Sequence, residues 1–463
     1  MIDPVIASRL QFALTTAVHI IFPAISMGLA PFLVYFAYKE MRGAGEPWVS
    51  LRRFWVKIFA LTFVVGTVTG IVLEFEFGTN FAAYASAVGG IFGGPLATEG
   101  LMAFMLESTF LGILLFGKER VGRRMYFLSA FLVALGSWLS AVWILIANSW
   151  MQLPRGFEMG TRAGQEVAVI VDPVAAYLNP RFFYMFTHMQ ASAVLAAALF
   201  MGGIAMYKLT TTDTRRRFWK TSLKLAIVGM LLTAPFMAVQ GDSYTRHVYE
   251  TQPQKFAAME AVYDTESSVP EYILAFPTDV TELRDPSSRQ LFKIGIPGGA
   301  SFLASGGDPT ATIQGLDDME SLQGVEGEPP VAVVFWSFRA MVGLGVWFIV
   351  LALWAGFRWY QDRLLDDKYL RRGLMYSIPL GVLAIEFGWM VTEVGRQPWA
   401  IQEVLTVADG VSQGLTGGEA LLTLLGFVLG YALLLGLWIY LVRRLIIRGP
   451  KPSQSADTEV TPE

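Results

Sequence analysis

The sequence predicts an all-α integral membrane protein of about nine transmembrane helices. Its N-terminus is outside, its C-terminus is cytoplasmic, and a long external loop joins the sixth and seventh helices. Three observations carry this reading. Of 463 residues, 54% are hydrophobic and only 16% charged, against about 25% charged in soluble domains. Nine apolar runs are long enough to cross a bilayer. The connectors between them alternate in positive charge.

Crossing the hydrocarbon takes about 20 apolar residues. Such runs lie near Leu10–Ala37, Phe54–Phe75, Pro95–Phe116, Met125–Trp150, Phe182–Tyr207, Phe218–Val239, Val331–Phe357, Leu374–Val394 and Ala420–Val442. No basic leader or small-residue cleavage site precedes the first, so it reads as a retained helix. Lys39, Arg42, Arg52 and Arg53 follow the first run, whereas Gly78–Phe92 after the second has no Lys or Arg. Lys118, Arg120, Arg123 and Arg124 follow the third, and the fourth connector mixes Arg155 and Arg162 with Glu158, Glu166 and Asp172. The fifth holds Lys208, Arg215, Arg216, Arg217 and Lys220, and the seventh Arg358, Arg363, Lys368, Arg371 and Arg372. Arg443, Arg444, Arg448 and Lys451 close the last helix. Basic connectors stay in the cytoplasm, which fixes an odd number of spans and an outside N-terminus.

Residues 1–448 therefore read as one polytopic domain. Residues 240–330 form its external loop, polar and rich in Pro, Gly and acids; loops of that length are functional or disordered. Residues 449–463 read as a disordered cytoplasmic tail.

The chain has no cysteine. That excludes disulfides, thiolate-ligated haem and cysteine-held iron–sulfur clusters. It has three histidines: His19 in the first helix, His188 in the fifth and His247 in the external loop. A haem–copper core or a bis-histidine cytochrome with two haems needs more than three. Redox chemistry here must use Met or carboxylate ligands as well. Phe335–Gly343 opens the seventh helix with Arg339 and Met341, at the depth of His188, so a His/Met pair is within reach. Arg339 suits an anionic group beside it.

Ionisable groups inside a membrane cost about 2.5–3.5 kcal/mol on insertion scales and mark function by default. Glu99 and Glu107 share the third helix, about 80° apart and about 12 Å along an ideal helix, as a proton-conducting stripe would be. Glu74 and Glu76 lie near the outer end of the second helix, where snorkelling to the interface explains them equally well. Glu386 and Glu393 flank Trp389 on the eighth. In the loop, Lys255 and Glu260 fall about 140° apart on a helix. They can serve a quinol oxygen and its proton without pairing with each other; a solvated amphipathic segment is the plainer reading.

Taken together, His19 in LTTAVHIIFP, TEGLMAFMLEST around Glu99 and Glu107, His188 in FTHMQAS, QGDSY, QKFAAMEA, FWSFRAMVG and FGWMVTEVGRQPWAIQEVL resemble the large subunit of cytochrome bd-type quinol oxidases. The resemblance runs from His19 to about Leu405. It implies His188 and Met341 as ligands of a low-spin haem b, with Arg339 beside it. It implies His19 and Glu393 as ligands of two high-spin haems, which of the two each binds staying open. Glu99 would lie at the oxygen-reducing haem as a possible distal ligand, Glu107 and Glu74 on the proton route or haem surroundings, and Trp389 and Arg396 near the haem cluster. Lys255 and Glu260 match the quinol-oxidising segment, in its short-loop form. The implied cofactors are two haem b and one haem d, with a third haem b in place of haem d left open, and no copper. The implied partners are quinol, O2, the lipid bilayer, a second membrane subunit (subunit II) and in some relatives a small single-helix subunit; nucleic acid is not among them. The implied place is the bacterial or archaeal cytoplasmic membrane. A quinone-linked b-type cytochrome that feeds a partner instead of O2 is the alternative reading. A secondary transporter with intramembrane carboxylates is a third class, but it would leave Arg339, Met341 and the large loop unexplained.

Overall fold

The computed structural model describes residues 2–162, 164–277, 290–319 and 329–450. Among them, eight helices are long and apolar enough to cross a membrane, and nine if one bent pair counts as a single span. In chain order these are span 1 (Pro4–Met41), span 2 (Trp48–Thr79), span 3 (Ala82–Phe116), span 4 (Arg123–Gln152), span 5 (Pro180–Thr211), span 6 (Arg216–Thr251) and span 7 (Val331–Tyr360). Span 8 is the pair Lys368–Tyr376 and Leu380–Val394, bent by 47°, and span 9 is Gly417–Arg448. Pro379 sits at the bend of span 8. It offers no N–H to the preceding turn and disfavours helix just before it.

Local chemistry sets the ends. Asp3 and Asn179 cap spans 1 and 5, each followed by proline at the first helical position. Thr416 and Glu419 form a capping box on span 9. Span 1 is the central helix, packed on spans 2, 4, 5 and 9. At Gly28 it runs so close to span 5 that a Cβ would stand 1.9 Å from the Ala193 carbonyl oxygen. Small residues permit that approach where two apolar helices have no hydrophobic drive to associate.

The connectors sort into two ends. At one end Glu40 joins Arg52 of span 2 and Lys118 after span 3. There Lys224 of span 6 also lies 5.3 Å from the Trp359 ring of span 7, and Lys208 donates to the Ile447 carbonyl at 3.3 Å. At the other end Ser412 accepts from the Ala82 amide at 2.8 Å, Gln402 N–H donates to the Met151 carbonyl, and Gln252 reaches Gln152 at 3.1 Å.

Three boundaries differ from the sequence reading. Span 3 begins at Ala82, so most of the uncharged Gly78–Phe92 stretch is helix; its glycines and alanines hid that from a hydropathy window. Glu99–Phe104 is a π-helical turn, so the ideal α-helical spacing of Glu99 and Glu107 does not hold. Span 6 runs on to Thr251. His247 is therefore not in a loop: it is buried in a helix and stacked on Tyr184 with ring centres 4.7 Å apart. The polar QGDSY stretch stays helical because its groups find partners, Gln240 on His188 and Asp242 on Arg246.

The loop proper starts at Gln252. Its described part folds back on spans 6 and 7 around Phe256, Met259, Tyr263, Ile313 and Phe335. Short antiparallel ribbons decorate this end, including Phe157–Arg162 with Gln165–Ile170 and Glu271–Pro277 with Gln290–Ile296. Residues 278–289 and 320–328 of the loop and 451–463 of the tail lie outside the described residues.

Candidate functional site: a cavity between spans 5, 6, 7 and 8

Spans 5 to 8 and the loop helix Pro253–Glu260 enclose a cavity of about 370 Å³. His188, Met341 and Trp389 line its membrane part, and Lys255, Glu260 and Glu271 its loop end. His188 Nδ1 bonds Gln240 Oε1. Gln240 commits its amide nitrogen to the Tyr184 carbonyl at 2.9 Å and to Thr187 at 3.1 Å. Its oxygen must then accept from Nδ1–H, which leaves Nε2 with the free lone pair. Gly241 and Gly388 keep the space clear: a Cβ would stand 3.6 Å from His188 Cε1 at the first and 3.1 Å from Met341 Sδ at the second.

The loop end is rich in buried cations. Arg181, 1% exposed, lies 4.7 Å from the Tyr244 ring and leaves Nε and Nη1 without partners. Arg396, 4% exposed, bonds Glu393 at 2.5 Å and likewise leaves Nε and Nη1 unpartnered. Glu393 also accepts from Asn148 at 2.9 Å and Gln152 at 3.2 Å. A carboxylate has about four lone-pair positions, so one remains open. Lys255, 1% exposed, donates to Gln152 and, at 2.8 Å, to Gln252. Burial, then the nearby Arg181 and Arg396 cations, holds its ammonium pKa well below the usual lysine range. Gln152 thus joins Lys255 to Glu393 in one hydrogen-bonded chain.

Glu260 faces away from Lys255, as their spacing predicts. Its carboxylate pairs with Arg339 Nη2 at 2.5 Å. Arg339 Nη1 reaches Glu271 at 3.2 Å, and Nε donates to the Tyr272 carbonyl. Arg339 is therefore engaged by its own chain, and the unsatisfied donors belong to Arg181 and Arg396. The Pro253–Glu260 helix is buried throughout, not the solvated segment its sequence alone suggests.

The remaining predicted residues stand apart from this cavity. His19 Nδ1 is 3.0 Å from Thr69 Oγ1, between spans 1 and 2. The Thr69 hydroxyl has one proton and lies against the Val65 and Gly66 carbonyls at 3.1 and 3.0 Å. It donates there and accepts from Nδ1–H, so Nε2 is again the free nitrogen. Glu99 accepts from Ser140 at 2.5 Å, and Glu107 accepts from Ser137, both serines on span 4. Glu74 is exposed on span 2. Its neighbour Glu76 is fully buried against Thr15 of span 1. Glu386 Oε1 is buried without a partner.

Sequence reasoning missed Arg181, Gln152, Gln240 and Glu271. Arg181 follows the capping Asn179-Pro180 pair and looks like an interfacial arginine. The glutamines carry no charge to draw notice, and Glu271 is one acid among many in the loop.

The geometry defines a class: a polytopic helical membrane protein with two histidines whose Nε2 carries the free lone pair, a thioether sulfur on the same cavity as one of them, and buried guanidinium groups with unpaired N–H. The family model for cytochrome bd terminal oxidase subunit I matches residues 7–450, and the chain belongs to that family. It is 34% identical to cytochrome bd ubiquinol oxidase subunit 1 of Bacillus subtilis, over 98% of this chain and 96% of that one. It is 32% identical to cytochrome bd-II ubiquinol oxidase subunit 1 of Escherichia coli, over 98% of each. Among solved structures it resembles the bd oxidase from Geobacillus thermodenitrificans, with a TM-score of 0.84 and 29% identity over 97% of this chain and 99% of that one.

Proposed function

We propose that this chain is the quinol-oxidising, haem-holding subunit of a terminal oxidase in the bacterial cytoplasmic membrane, a quinol:oxygen oxidoreductase that works with a second membrane subunit. The observation that carries the reading is one cavity faced by His188 and Met341, with Lys255 and Glu260 at its other end. The residues present fit haem. Buried guanidinium N–H groups without acceptors, on Arg181 and Arg396, call for carboxylates such as haem propionates. Glycines at 241 and 388 lie beside the His188 ring and the Met341 sulfur. His188 and Met341 would hold the low-spin haem; His19 and Glu393 would each hold a high-spin haem, and the choice between haem d and haem b falls to measurement. Bound, these groups supply electron transfer and the iron at which O2 is reduced.

The protein's own part is positioning and proton handling. Quinol sits at the loop end. Lys255, whose charged form burial disfavours, contacts one quinol oxygen, and Glu260 accepts a proton from the other. Gln240 and Thr69 fix the tautomers of His188 and His19. The positive-inside rule supports an outside position for the loop end, and quinol protons would leave on that side. Glu107 and Glu99, with Ser137 and Ser140, bring protons from the cytoplasmic side for water formation. Charge then separates across the membrane without a pump.

A dithionite-reduced minus air-oxidised spectrum of the purified complex, with haem extraction and quinol-driven O2 uptake, tests this. A b-type signal with a red-shifted chlorin band is the haem d outcome, and b-type bands alone the all-b outcome. Haem without O2 uptake moves the protein to the class of quinone-linked cytochromes. Met341→Leu is expected to remove the low-spin signal and quinol oxidation together; survival of both unchanged sinks the ligand assignment.

A further inference from the structure

Glu271 lies outside every motif that marks the family resemblance, yet it completes a charge cluster at the cavity. Glu260 on the loop helix and Glu271 at the start of the Glu271–Pro277 strand both contact Arg339 of span 7, at 2.5 and 3.2 Å. Two carboxyl groups thus share one guanidinium. Arginine stays charged, so the cluster carries one negative charge too many unless the pair holds a proton. Like charges this close do not both ionise readily, and the proton belongs to the pair rather than to either member. The two acids differ in access: Glu260 is 2% exposed and Glu271 20%. Both line the cavity; Glu260 is shut off from water, and Glu271, on the same guanidinium, is the one of the two that water reaches.

We propose that Glu271 is the proton-exit residue for quinol oxidation, passing to the outer aqueous phase the proton that Glu260 takes from the quinol hydroxyl. This rests on the quinol-oxidising reading of the same cavity. The steps are proton transfers only. In the resting state the two carboxyl groups hold one proton between them, and Arg339 balances the remaining negative charge. The Glu271 O–H proton goes to water, and Glu260 accepts the quinol O–H proton. That proton then crosses to Glu271, restoring the starting state. Glu271 is a positioning and relay group rather than a catalytic residue, because Glu260 is the one that meets the substrate.

The surroundings suit a group that binds and releases protons. Burial and the Glu260 carboxylate push Glu271 up to about 8, against the lowering effect of Arg339. The charged groups that act on it are Glu260 and Arg339; Asp242 lines the same cavity and pairs with Arg246 of span 6 at 2.5 Å, and Lys293 and Glu266 act on the adjoining Tyr272. Packing leaves the Glu271 side chain little freedom: a Cβ on Gly299 would stand 2.5 Å from Glu271 Cβ.

The test is O2 uptake by the purified oxidase complex at saturating quinol between about pH 6 and about pH 9, a window that brackets the value near 8 to which Glu271 is pushed. Wild type, Glu271→Gln and Glu271→Asp are compared, with haem spectra checking that each is assembled. Emptying the pair is easier at high pH, so wild-type turnover should rise as pH passes through about 8. Glu271→Gln should be slower by roughly tenfold, less than for a group in direct acid–base contact, and should lose that rise. Glu271→Asp should recover most of the rate, with the rise displaced in pH. Wild-type turnover and an unchanged pH profile in Glu271→Gln overturn the inference. If Glu271→Gln does not assemble, a Glu271→Asp profile superimposable on wild type overturns it. A wild-type complex without quinol-driven O2 uptake overturns the quinol-oxidase reading as well, so the two failures are distinct.

Discussion

The His188/Met341 cavity and the Glu99/Glu107 line both bury ionisable groups in an apolar bundle, but they are built in opposite ways. The cavity is organised by fixed charge. Arg181, Arg396 and Arg339 cannot give up their protons, and their partners reach across four spans and the loop. The Glu99/Glu107 line has no cation paired with it among the described residues; each acid is met by a single serine hydroxyl of span 4. A serine can donate to a carboxylate or accept from a carboxylic acid by turning its hydroxyl. Fixed charges suit the holding of an anionic cofactor and a defined potential. Rotatable hydroxyls suit a group that must exist in two protonation states. The π-helical turn at Glu99–Phe104 falls in the second region, and such turns gather at functional sites.

The largest effect is expected on the carboxylate line. Glu107→Gln removes proton transfer at a buried position that water does not easily replace. Turnover should fall by roughly 10²-fold, the low end for a lost acid–base group, with haem content and the low-spin spectrum unchanged. Loss of haem in that variant, or an unaltered rate, would break the contrast, because Glu107 would then be part of the scaffold or a bystander.

A middle-sized effect is expected from the cavity. Arg181→Met keeps the bulk of the side chain and removes a buried positive charge from the cavity that His188 and Met341 line, the proposed low-spin haem site. The reduced haem carries one positive charge fewer than the oxidised haem, so losing a cation favours the oxidised form. The midpoint potential should drop by about 60 mV, which is tenfold in the equilibrium constant of a one-electron couple. A spectroelectrochemical titration reads it directly. An unmoved potential would mean that the orphaned Arg181 donors serve something other than the haem.

Much of this was legible in the sequence. Hydropathy gave about nine spans, which eight apolar helices and one bent pair match among the described residues, and two of the residues the motifs singled out, His188 and Met341, line one cavity. The span boundaries that misled did so for physical reasons. A hydropathy window undervalues Gly- and Ala-rich helix such as Ala82–Thr98. It also stops at Gln240, where polar residues continue the helix and Gln240, Asp242 and Arg246 find partners in the fold. The charge clusters were less legible still. Arg339 pairs with Glu260 and Glu271 across 79 and 68 positions of chain (339 − 260 and 339 − 271). No local pattern records such a meeting. Glu74 and Glu76, two apart on one helix, looked equivalent in sequence, yet one is exposed and the other fully buried.

The smallest predicted effect is the sharpest probe of the contrast. Ser140→Ala removes the one hydroxyl on Glu99 and leaves its volume and neighbours almost unchanged. A hydrogen bond of this kind contributes about 1 kcal/mol, which corresponds to roughly fivefold in rate where it steadies a rate-limiting protonation state. Turnover at saturating quinol should fall by that factor, while the low-spin haem potential stays where it is, since the serine belongs to the other region. Ser140→Thr keeps a hydroxyl and should restore the rate if the crowded span 4 interface admits the added methyl. A loss in Ser140→Ala accompanied by a shifted low-spin potential would show that the two regions are not separate devices but one coupled network.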